Sequence, residues 1–315
     1  MLANTRKMSS IYPQLKMAAR VSLGAALILA FILPAALLIV FPNEARAAAT
    51  LSKSLQRPVN EIGLVGWWTM DGSDILTNIA DKSGSGNNGS LILGASGNTS
   101  TTTAPGRVGQ ALSFDGTDDY VSEAAVDLSA TNKVSVAFWL YENAFNNTDD
   151  VAIEATTDTN NNTTGFFVDP NGGSPCAGSL NIALKGDVGY YIRCYARPSA
   201  GAWHHYVAVF DKSLSTNEVD LYLDGVLQTA TSQPYNSNNT NTFGNAPIYL
   251  MSRAGTSLFT AGSLDDVRIY NRVLSAAEIS QLYQLGATSK IAKTLPGRDS
   301  LKSGLVGWWT FDGPD

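Results

Sequence analysis

Histidine and cysteine are scarce in this 315-residue sequence, which contains two residues of each. A zinc site needs several such ligands close together, and the sequence does not supply them. The histidines, His204 and His205, are adjacent, so on a strand they point to opposite faces and cannot act on one substrate together. The G-x-S-x-G pattern of a serine nucleophile is also missing from the sequence. These absences argue against histidine-based, zinc-based or serine-based hydrolysis.

Charge is also limited, at 15% of the residues, and the net charge is -6 at pH 7. No cluster of lysine and arginine follows residue 57, so nucleic acid is not an expected partner. In contrast, glycine (28 residues), asparagine, serine and threonine are abundant. This composition favours short strands joined by turns over long helices.

A single long apolar run, Val21–Phe41, follows a basic segment and precedes the small-residue triplet Ala45-Arg46-Ala47. This order is typical of a cleaved export signal. The run is also long enough to span a bilayer, so the alternative is an N-terminal membrane anchor formed by residues 21–41. The sequence therefore predicts a signal peptide or anchor over residues 1–47 and a linker over residues 48–61. It also predicts a secreted or cell-surface protein that contacts a membrane only through this segment.

Export gives the two cysteines a simple role. An exported domain with one pair of cysteines usually forms a disulfide, and we expect one between Cys176 and Cys194. The residues between them read as two strands joined at Lys185-Gly186-Asp187.

Apolar alternation recurs between residues 62 and 286. In residues 133–141 the apolar side chains at alternate positions fall on one face of a strand. Asp224-Gly225 provides the residues of a tight hairpin turn. Short strands without intervening helices predict a two-sheet antiparallel sandwich or barrel. One short helix is expected at the C-terminal end, where Ser275 and Glu278 form a capping box. We expect this helix to stop at Gly286 and to close one end of the sandwich.

The first residues of the predicted folded region are repeated at the end of the chain. Residues 305–315, LVGWWTFDGPD, match residues 64–74, LVGWWTMDGSD, at nine of eleven positions. The sequence therefore predicts one full module over residues 62–286, a linker over 287–303, and the first strand of a second, truncated copy over 304–315.

Seven blocks in fixed order carry a family resemblance, among them GLVGWWTMDG, GQALSFDGTDDYV, AWHHYVAVFD and GSLDDVRIYNRVLSAAEISQLY. The chain resembles a laminin-G-like jelly-roll module of the concanavalin A-like lectin/glucanase superfamily over residues 63–286. The resemblance implies an all-β, two-sheet antiparallel jelly-roll sandwich with one short C-terminal helix. It also implies an exported, non-catalytic binding module for a glycan or a surface protein, commonly with a structural calcium ion.

Calcium binds carboxylate, amide and carbonyl oxygens, which several acidic positions at strand ends and turns offer. If the first and last strands are neighbours, Asp71 can meet the Asp265/Asp266 pair across one ion. The alternative is that these residues are ordinary turn and rim acids. An inward-pointing member of the Asp265/Asp266 pair would then need hydrogen-bond donors in place of a cation. The candidate calcium ligands are Asp71, Asp81, Asp115, Asp265 and Asp266, with Asp118 and Asp119 beside Asp115.

Glucanases of this superfamily carry an acidic triplet on one strand, and the nearest match here is Glu218, Asp220 and Asp224. The spacing is wrong and Asp224 belongs to the hairpin turn, so we interpret these acids as a solvated strand face and expect no enzyme activity.

Exposed aromatic rings that stack on sugars are the residues expected to bind a glycan, although each can equally be a core residue. The candidates are Trp139, Tyr141 and Tyr222, followed by Tyr190, Tyr191 and Tyr195. Polar loops at residues 143–150, 158–164 and 236–241 can supply specificity. Two alternatives to glycan binding stay open: an adhesive repeat that binds protein partners, and the accessory module of a truncated carbohydrate-active enzyme.

Overall fold

The computed structural model describes residues 61–75, 78–94, 103–145, 149–155 and 164–288. The predicted signal or anchor segment, the first linker up to residue 60, the second linker beyond residue 288 and the second-copy strand lie outside these residues. Within the described part of the chain, no helix combines the length and the hydropathy needed to cross a membrane.

Two antiparallel sheets of eight strands each form the domain, which confirms the predicted fold class. The first sheet runs in the order β13-β12-β11-β6-β16-β4-β3, and β1 also pairs with β16. Its strands are β1 (Leu64–Trp68), β3 (Thr103–Pro105), β4 (Gln110–Asp115), β6 (Lys133–Glu142), β11 (Trp203–Asp211), β12 (Val219–Leu223), β13 (Val226–Leu227) and β16 (Ala261–Tyr270).

The second sheet runs in the order β14-β10-β9-β8-β7-β15-β5-β2. Its strands are β2 (Gly89–Ile92), β5 (Tyr120–Asp127), β7 (Ile153–Ala155), β8 (Gly165–Gly172), β9 (Ser179–Lys185), β10 (Tyr190–Tyr195), β14 (Ser232–Asn236) and β15 (Asn245–Leu250). A 3-10 turn, Gly72–Ile75, and the helix α1, Ala276–Thr288, complete the secondary structure of the described residues.

The first and last strands of the module are neighbours, as the sequence predicts. β1 pairs antiparallel with β16, so that Gly66 lies opposite Ile269 and Trp68 lies opposite Val267. β16 contacts β4 with its first half and β1 with its second half. The ends of the module are therefore joined by backbone hydrogen bonds.

The strand periodicity places apolar side chains in three layers. Between the sheets lies the largest layer, which includes Trp68, Phe138 and Phe166. A second layer lies between the first sheet and α1, and a third layer lies on the outer face of the second sheet around Phe167 and Ile192. The outer face of the second sheet is thus partly apolar, and among the described residues no helix packs on it.

The helix α1 begins where the sequence predicts, but its end differs from the prediction. The Ser275 backbone N–H donates to Glu278 Oε2 at 2.8 Å, as in a capping box. The helix continues through Gly286 to Thr288, and it packs on the outer face of the first sheet rather than over one end of the sandwich. Gly286 is needed for close approach, because a Cβ there would lie against the Trp139 indole.

Candidate functional site

A cleft of about 220 Å³ lies on the outer face of the second sheet. Side chains from β8, β9, β10 and β14 line it together with residues of three loops. The lining residues used below are Asp149, Phe167, Asp169, Asn181, Tyr190, Tyr235 and Arg253. Ligand pockets usually measure about 300–1,000 Å³, so this cleft suits a small group such as one or two sugar rings.

Two tyrosines form the aromatic side of the cleft. The rings of Tyr190 on β10 and Tyr235 on β14 lie 6.3 Å apart and are tilted by 59°. Lys185 places its ammonium group 4.8 Å from the Tyr190 ring, which occupies one face of that ring. Tyr235 belongs to the edge strand of the sheet and is 50% exposed. Its ring is therefore the more accessible surface for stacking.

Carboxyl groups form the polar side of the cleft. Asp169 on β8 lies opposite Asn181 on β9, and it hydrogen-bonds to Asp149. Burial, together with this hydrogen bond and the charges of Asp149 and Asp150, raises the pKa of Asp169 well above its usual value. Burial also raises the pKa of Asp150 to about 7, with a further contribution from Asp149. This side of the cleft holds protons and acceptor oxygens close together.

Arg253 closes the cleft opposite the acids. Its guanidinium lies 5.5 Å from the centre of the Phe167 ring. Its Nε lies 3.5 Å from Oε1 of Glu154, which is fully buried. Since Glu154 and Phe167 lie opposite each other on β7 and β8, one arginine covers both strands.

The predicted disulfide between Cys176 and Cys194 is present and supports the cleft. Cys176 belongs to the β8–β9 connection, which also carries the lining residues Ser174 and Pro175. Cys194 lies on β10, and its carbonyl accepts the backbone N–H of Thr231 just before β14. The bridge therefore links the loop at one side of the cleft to the strands that carry its tyrosines.

Replacing both cysteines by serine should lower the free energy of unfolding by about 3 kcal/mol, because the bridge closes a loop across a sequence separation of 18 residues. Urea unfolding with and without dithiothreitol measures this change. The reductant should shift the midpoint of the native protein to that of the variant and leave the variant unchanged. An equal midpoint for all samples would contradict the prediction.

The aromatic residues predicted from the sequence separate into different layers. Trp139 is 1% exposed and stacks on Tyr283 of α1 at 5.7 Å, so the core alternative holds for it. Tyr222 packs in the same layer, and Tyr141 packs against Trp203 on the first sheet. Tyr191 and Tyr195 lie between the sheets. Of the six candidates, Tyr190 reaches the cleft.

Most of the predicted calcium ligands have hydrogen-bond donors within the protein. Asp81 accepts four hydrogen bonds, from the backbone N–H groups of Trp67, Ser83 and Asn87 and from the Ser83 hydroxyl. These bonds fold the loop of residues 81–89, and calcium binding by Asp81 stays a prediction. Asp71 accepts the backbone N–H of Gln110 at 2.7 Å.

The Asp265/Asp266 pair lies at a register shift of β16. Asp265 accepts the backbone N–H groups of Arg107 and Val108 at 2.6 and 2.9 Å. Asp266 accepts Trp67 Nε1 at 2.7 Å and pairs with Arg268 at 3.1 Å. Both members of the pair therefore accept hydrogen bonds within the protein, and a calcium ion at this pair stays a prediction.

One acidic group among the described residues has carboxylate spacing suited to a metal ion. Oxygens of Asp115, Asp118 and Asp119, at the turn between β4 and β5, lie within 4.8 Å of one another. Asp115 Oδ1 also accepts the backbone N–H of Thr117, and Asp119 Oδ1 accepts that of Gly94. The three acids fit a cation by chemistry, and the calcium ion stays a prediction.

The acids considered for catalysis hold other parts of the fold. Glu218 is buried and accepts the backbone N–H of Asn239 at 2.8 Å. Asp220 pairs with Arg193 at 3.2 Å, and Asp224 pairs with His204 at 2.7 Å. These contacts account for the three residues through loop and strand packing.

Sequence reasoning missed Phe167, Asp169, Asn181, Tyr235 and Arg253 as cleft residues. They lie on three strands and one loop, and they meet only through the β8–β9 and β10–β14 pairings. The polar loop at residues 143–150 was the available signal, because it contains Asp149.

The family model of the concanavalin A-like lectin/glucanases superfamily matches residues 115–280. A search of curated protein sequences found no match. Among solved structures, the chain is similar to domain 4 of AbnA, a GH43 extracellular arabinanase from Geobacillus stearothermophilus, in complex with arabinotriose. That likeness has a TM-score of 0.53 and 19% identity, and it covers 70% of this chain and 98% of that one.

Two other similar structures are binding domains. The binding domain of Paraclostridial Mosquitocidal Protein 1 matches with a TM-score of 0.51 and 18% identity over 71% of this chain and 52% of that one. The receptor binding domain of botulinum neurotoxin D matches with a TM-score of 0.50 and 13% identity over 72% of this chain and 53% of that one. The chain thus spans about half of these two structures. At such identities the likeness shows the fold alone.

Proposed function

Because the chain belongs to the concanavalin A-like lectin/glucanases superfamily, we propose that it is an exported carbohydrate-binding module without catalytic activity. The binding site is the cleft on the outer face of the second sheet. Export agrees with the disulfide, which is typical of proteins outside the cytoplasm.

A half-exposed aromatic ring beside converging polar side chains carries this proposal. Tyr235 offers an apolar ring face, while Asp149, Asp169 and Asn181 offer oxygens directed into the same cleft. Sugars have apolar C–H faces and hydroxyl edges, so they need both kinds of contact at once. A small, mostly preformed cleft with a few oriented polar groups is the usual form of such a site.

The interaction between the two cleft acids favours binding over hydrolysis. Burial, together with a hydrogen bond to Asp149 and the charge of Asp149, raises the pKa of Asp169. Glycosidases hold their two carboxyl groups apart, at about 5–5.5 Å in retaining enzymes and farther in inverting enzymes. Two carboxyl groups that interact with each other differ from that arrangement, so we assign them to the recognition of hydroxyl groups.

The similar solved structures support a binding role. Domain 4 of the arabinanase is described in complex with arabinotriose, and the two toxin domains are described as binding domains. We extend the sugar-binding role to this chain as part of the proposal.

Tyr235→Ala should weaken binding of the best oligosaccharide ligand about 10- to 30-fold, as loss of a central tyrosine contact does at other binding sites. Isothermal titration calorimetry with ligands selected on a glycan array measures the change. The matched control is Leu227→Ala, since Leu227 is 53% exposed on the edge strand of the other sheet. It should bind as the native protein does, and equal affinity in both variants would exclude the cleft.

A protein ligand is the second candidate, and the second sheet's edge strand favours it. All five residues of β14 are exposed, and one side of the strand is free to pair. This alternative predicts that the protein binds no sugar on a glycan array and that it captures a surface protein. A peptide that pairs with β14 should then displace the captured protein.

A further inference from the structure

We propose that the cleft selects uncharged, hydroxyl-rich sugars and discriminates against sugars that carry carboxylate or sulfate groups. This inference rests on the proposed carbohydrate-binding function and defines its ligand class. It follows from two observations: the polar side of the cleft consists mainly of hydrogen-bond acceptors, and the cations near the cleft already contact other groups.

The polar side of the cleft consists mainly of acceptors. Asp149 and Asp169 each accept one hydrogen bond from a backbone N–H, that of Gly173 at 3.0 Å and that of Asn171 at 2.9 Å. Both acids still line the cleft with their carboxyl groups. A ligand must therefore bring hydrogen-bond donors to this side.

Asn181 strengthens the demand for donors. Its side chain is 4% exposed, and its Oδ1 accepts no hydrogen bond from the described residues. A buried acceptor without a partner costs about 1–3 kcal/mol, so a ligand hydroxyl placed there adds affinity. A carboxylate or sulfate oxygen has no proton to give and would meet this acceptor with repulsion.

Arg253, the arginine that lines the cleft, does not offset the preference of the cleft for hydrogen-bond donors. Arg253 pairs with the buried Glu154 at 3.5 Å and lies over the Phe167 ring. An anionic ligand would have to compete with a buried carboxylate for this guanidinium. Breaking such a pair is unfavourable, because it leaves a buried charge without compensation.

The other cations near the cleft are also engaged. Arg197 lies 4.9 Å from the Phe145 ring, and its charge acts on the buried acids Asp150 and Glu142. Lys185 lies over the Tyr190 ring at 4.8 Å. The cations near the cleft thus already have partners, which limits the attraction that they offer an anionic ligand.

The test compares matched oligosaccharides on an array and by calorimetry. Each pair consists of a neutral trisaccharide and the same trisaccharide with a primary alcohol oxidised to a carboxylate. We expect the neutral member to bind at least about tenfold more tightly at low salt. Added salt should narrow the gap by screening repulsion, while neutral binding stays constant.

A variant separates charge from shape. Asp149→Asn with Asp169→Asn removes the negative charge that the pair carries with little change in size, and it should bring the carboxylated sugar to within about threefold of the neutral one. Asp127→Asn, an exposed acid on β5 outside the cleft lining, is the control and should leave the discrimination unchanged. The salt series on the native protein gives an independent answer if the double variant does not fold.

The outcomes distinguish this inference from the proposed function. Equal or tighter binding of the carboxylated sugars, with both members lost in Tyr235→Ala, would overturn the selectivity and leave the cleft as the site. Absence of binding to every sugar on the array would overturn the proposed function itself.

Discussion

Replacing Trp139 by alanine should lower the free energy of unfolding by about 3–5 kcal/mol, the range for removing a large aromatic side chain from a core. The indole is 1% exposed and stacks on Tyr283 of α1. His205 contacts the same ring at 5.0 Å, and Arg107 lies 4.8 Å from its centre. Gly286 of α1 approaches the indole closely. Removal of the indole would therefore leave a cavity beside Gly286 and expose the helix to water there.

Urea unfolding, monitored by a circular dichroism signal that does not depend on tryptophan, measures this loss of stability. The folded fraction of Trp139→Ala should still bind sugar with native affinity, because the indole lies on the first sheet and the cleft lies on the second. Tyr235→Ala should show the reverse, with native stability and weak binding. A Trp139→Ala protein with a native midpoint and no sugar binding would restore Trp139 as a ligand-binding residue.

Raising the pH above about 5 should destabilise the protein, and Glu123 is one of the buried acids expected to contribute. Burial on β5 raises its pKa from 4.5 to about 9, and the charge of Asp81 adds to the shift. Between these values the folded state keeps a proton that the unfolded state has released. Stability therefore falls with rising pH by about 1.4 kcal/mol per pH unit for this group.

Glu123→Gln should remove this dependence, because glutamine has nearly the same shape and does not titrate. We expect its unfolding free energy to fall less steeply than that of the native protein, by a difference of about 3 kcal/mol between pH 5 and pH 7. Chemical unfolding at several pH values in EDTA-containing buffer measures both slopes. Parallel curves for the two proteins would show that Glu123 is ionised in the folded state.

Glu278 provides a contrast of opposite sign within the same chain. Its hydrogen bonds to Arg272, together with those from Ser275, lower its pKa to about 2. Its contribution is therefore present at neutral pH and lost as the pH falls from about 4.5 toward 2. Glu278→Gln should lower the stability at neutral pH and remove the pH dependence only in this acidic part of the curve.

Periodicity and turn chemistry predicted much of the fold. The alternation in residues 133–141 became a central strand, Asp224 and Gly225 both take positive φ in their turn, and Ser275 caps the helix as expected. These features are local, because a hairpin turn or a helix cap depends on residues within a few positions. The helix end was not predicted, since Gly286 is placed by its contact with Trp139 rather than by the chain around it.

The sequence by itself determined the sandwich, the disulfide partners and the neighbouring of β1 and β16. Only the tertiary structure decided which aromatic residues line the cleft. Trp139 and Tyr190 both belong to strands and are both candidates from the sequence, yet α1 covers the first and the second lines the cleft. The cleft itself arises where β8, β9, β10 and β14 pair across long sequence separations. Strand order is a property of the folded sheet, because each pairing depends on which partner buries the matching apolar face.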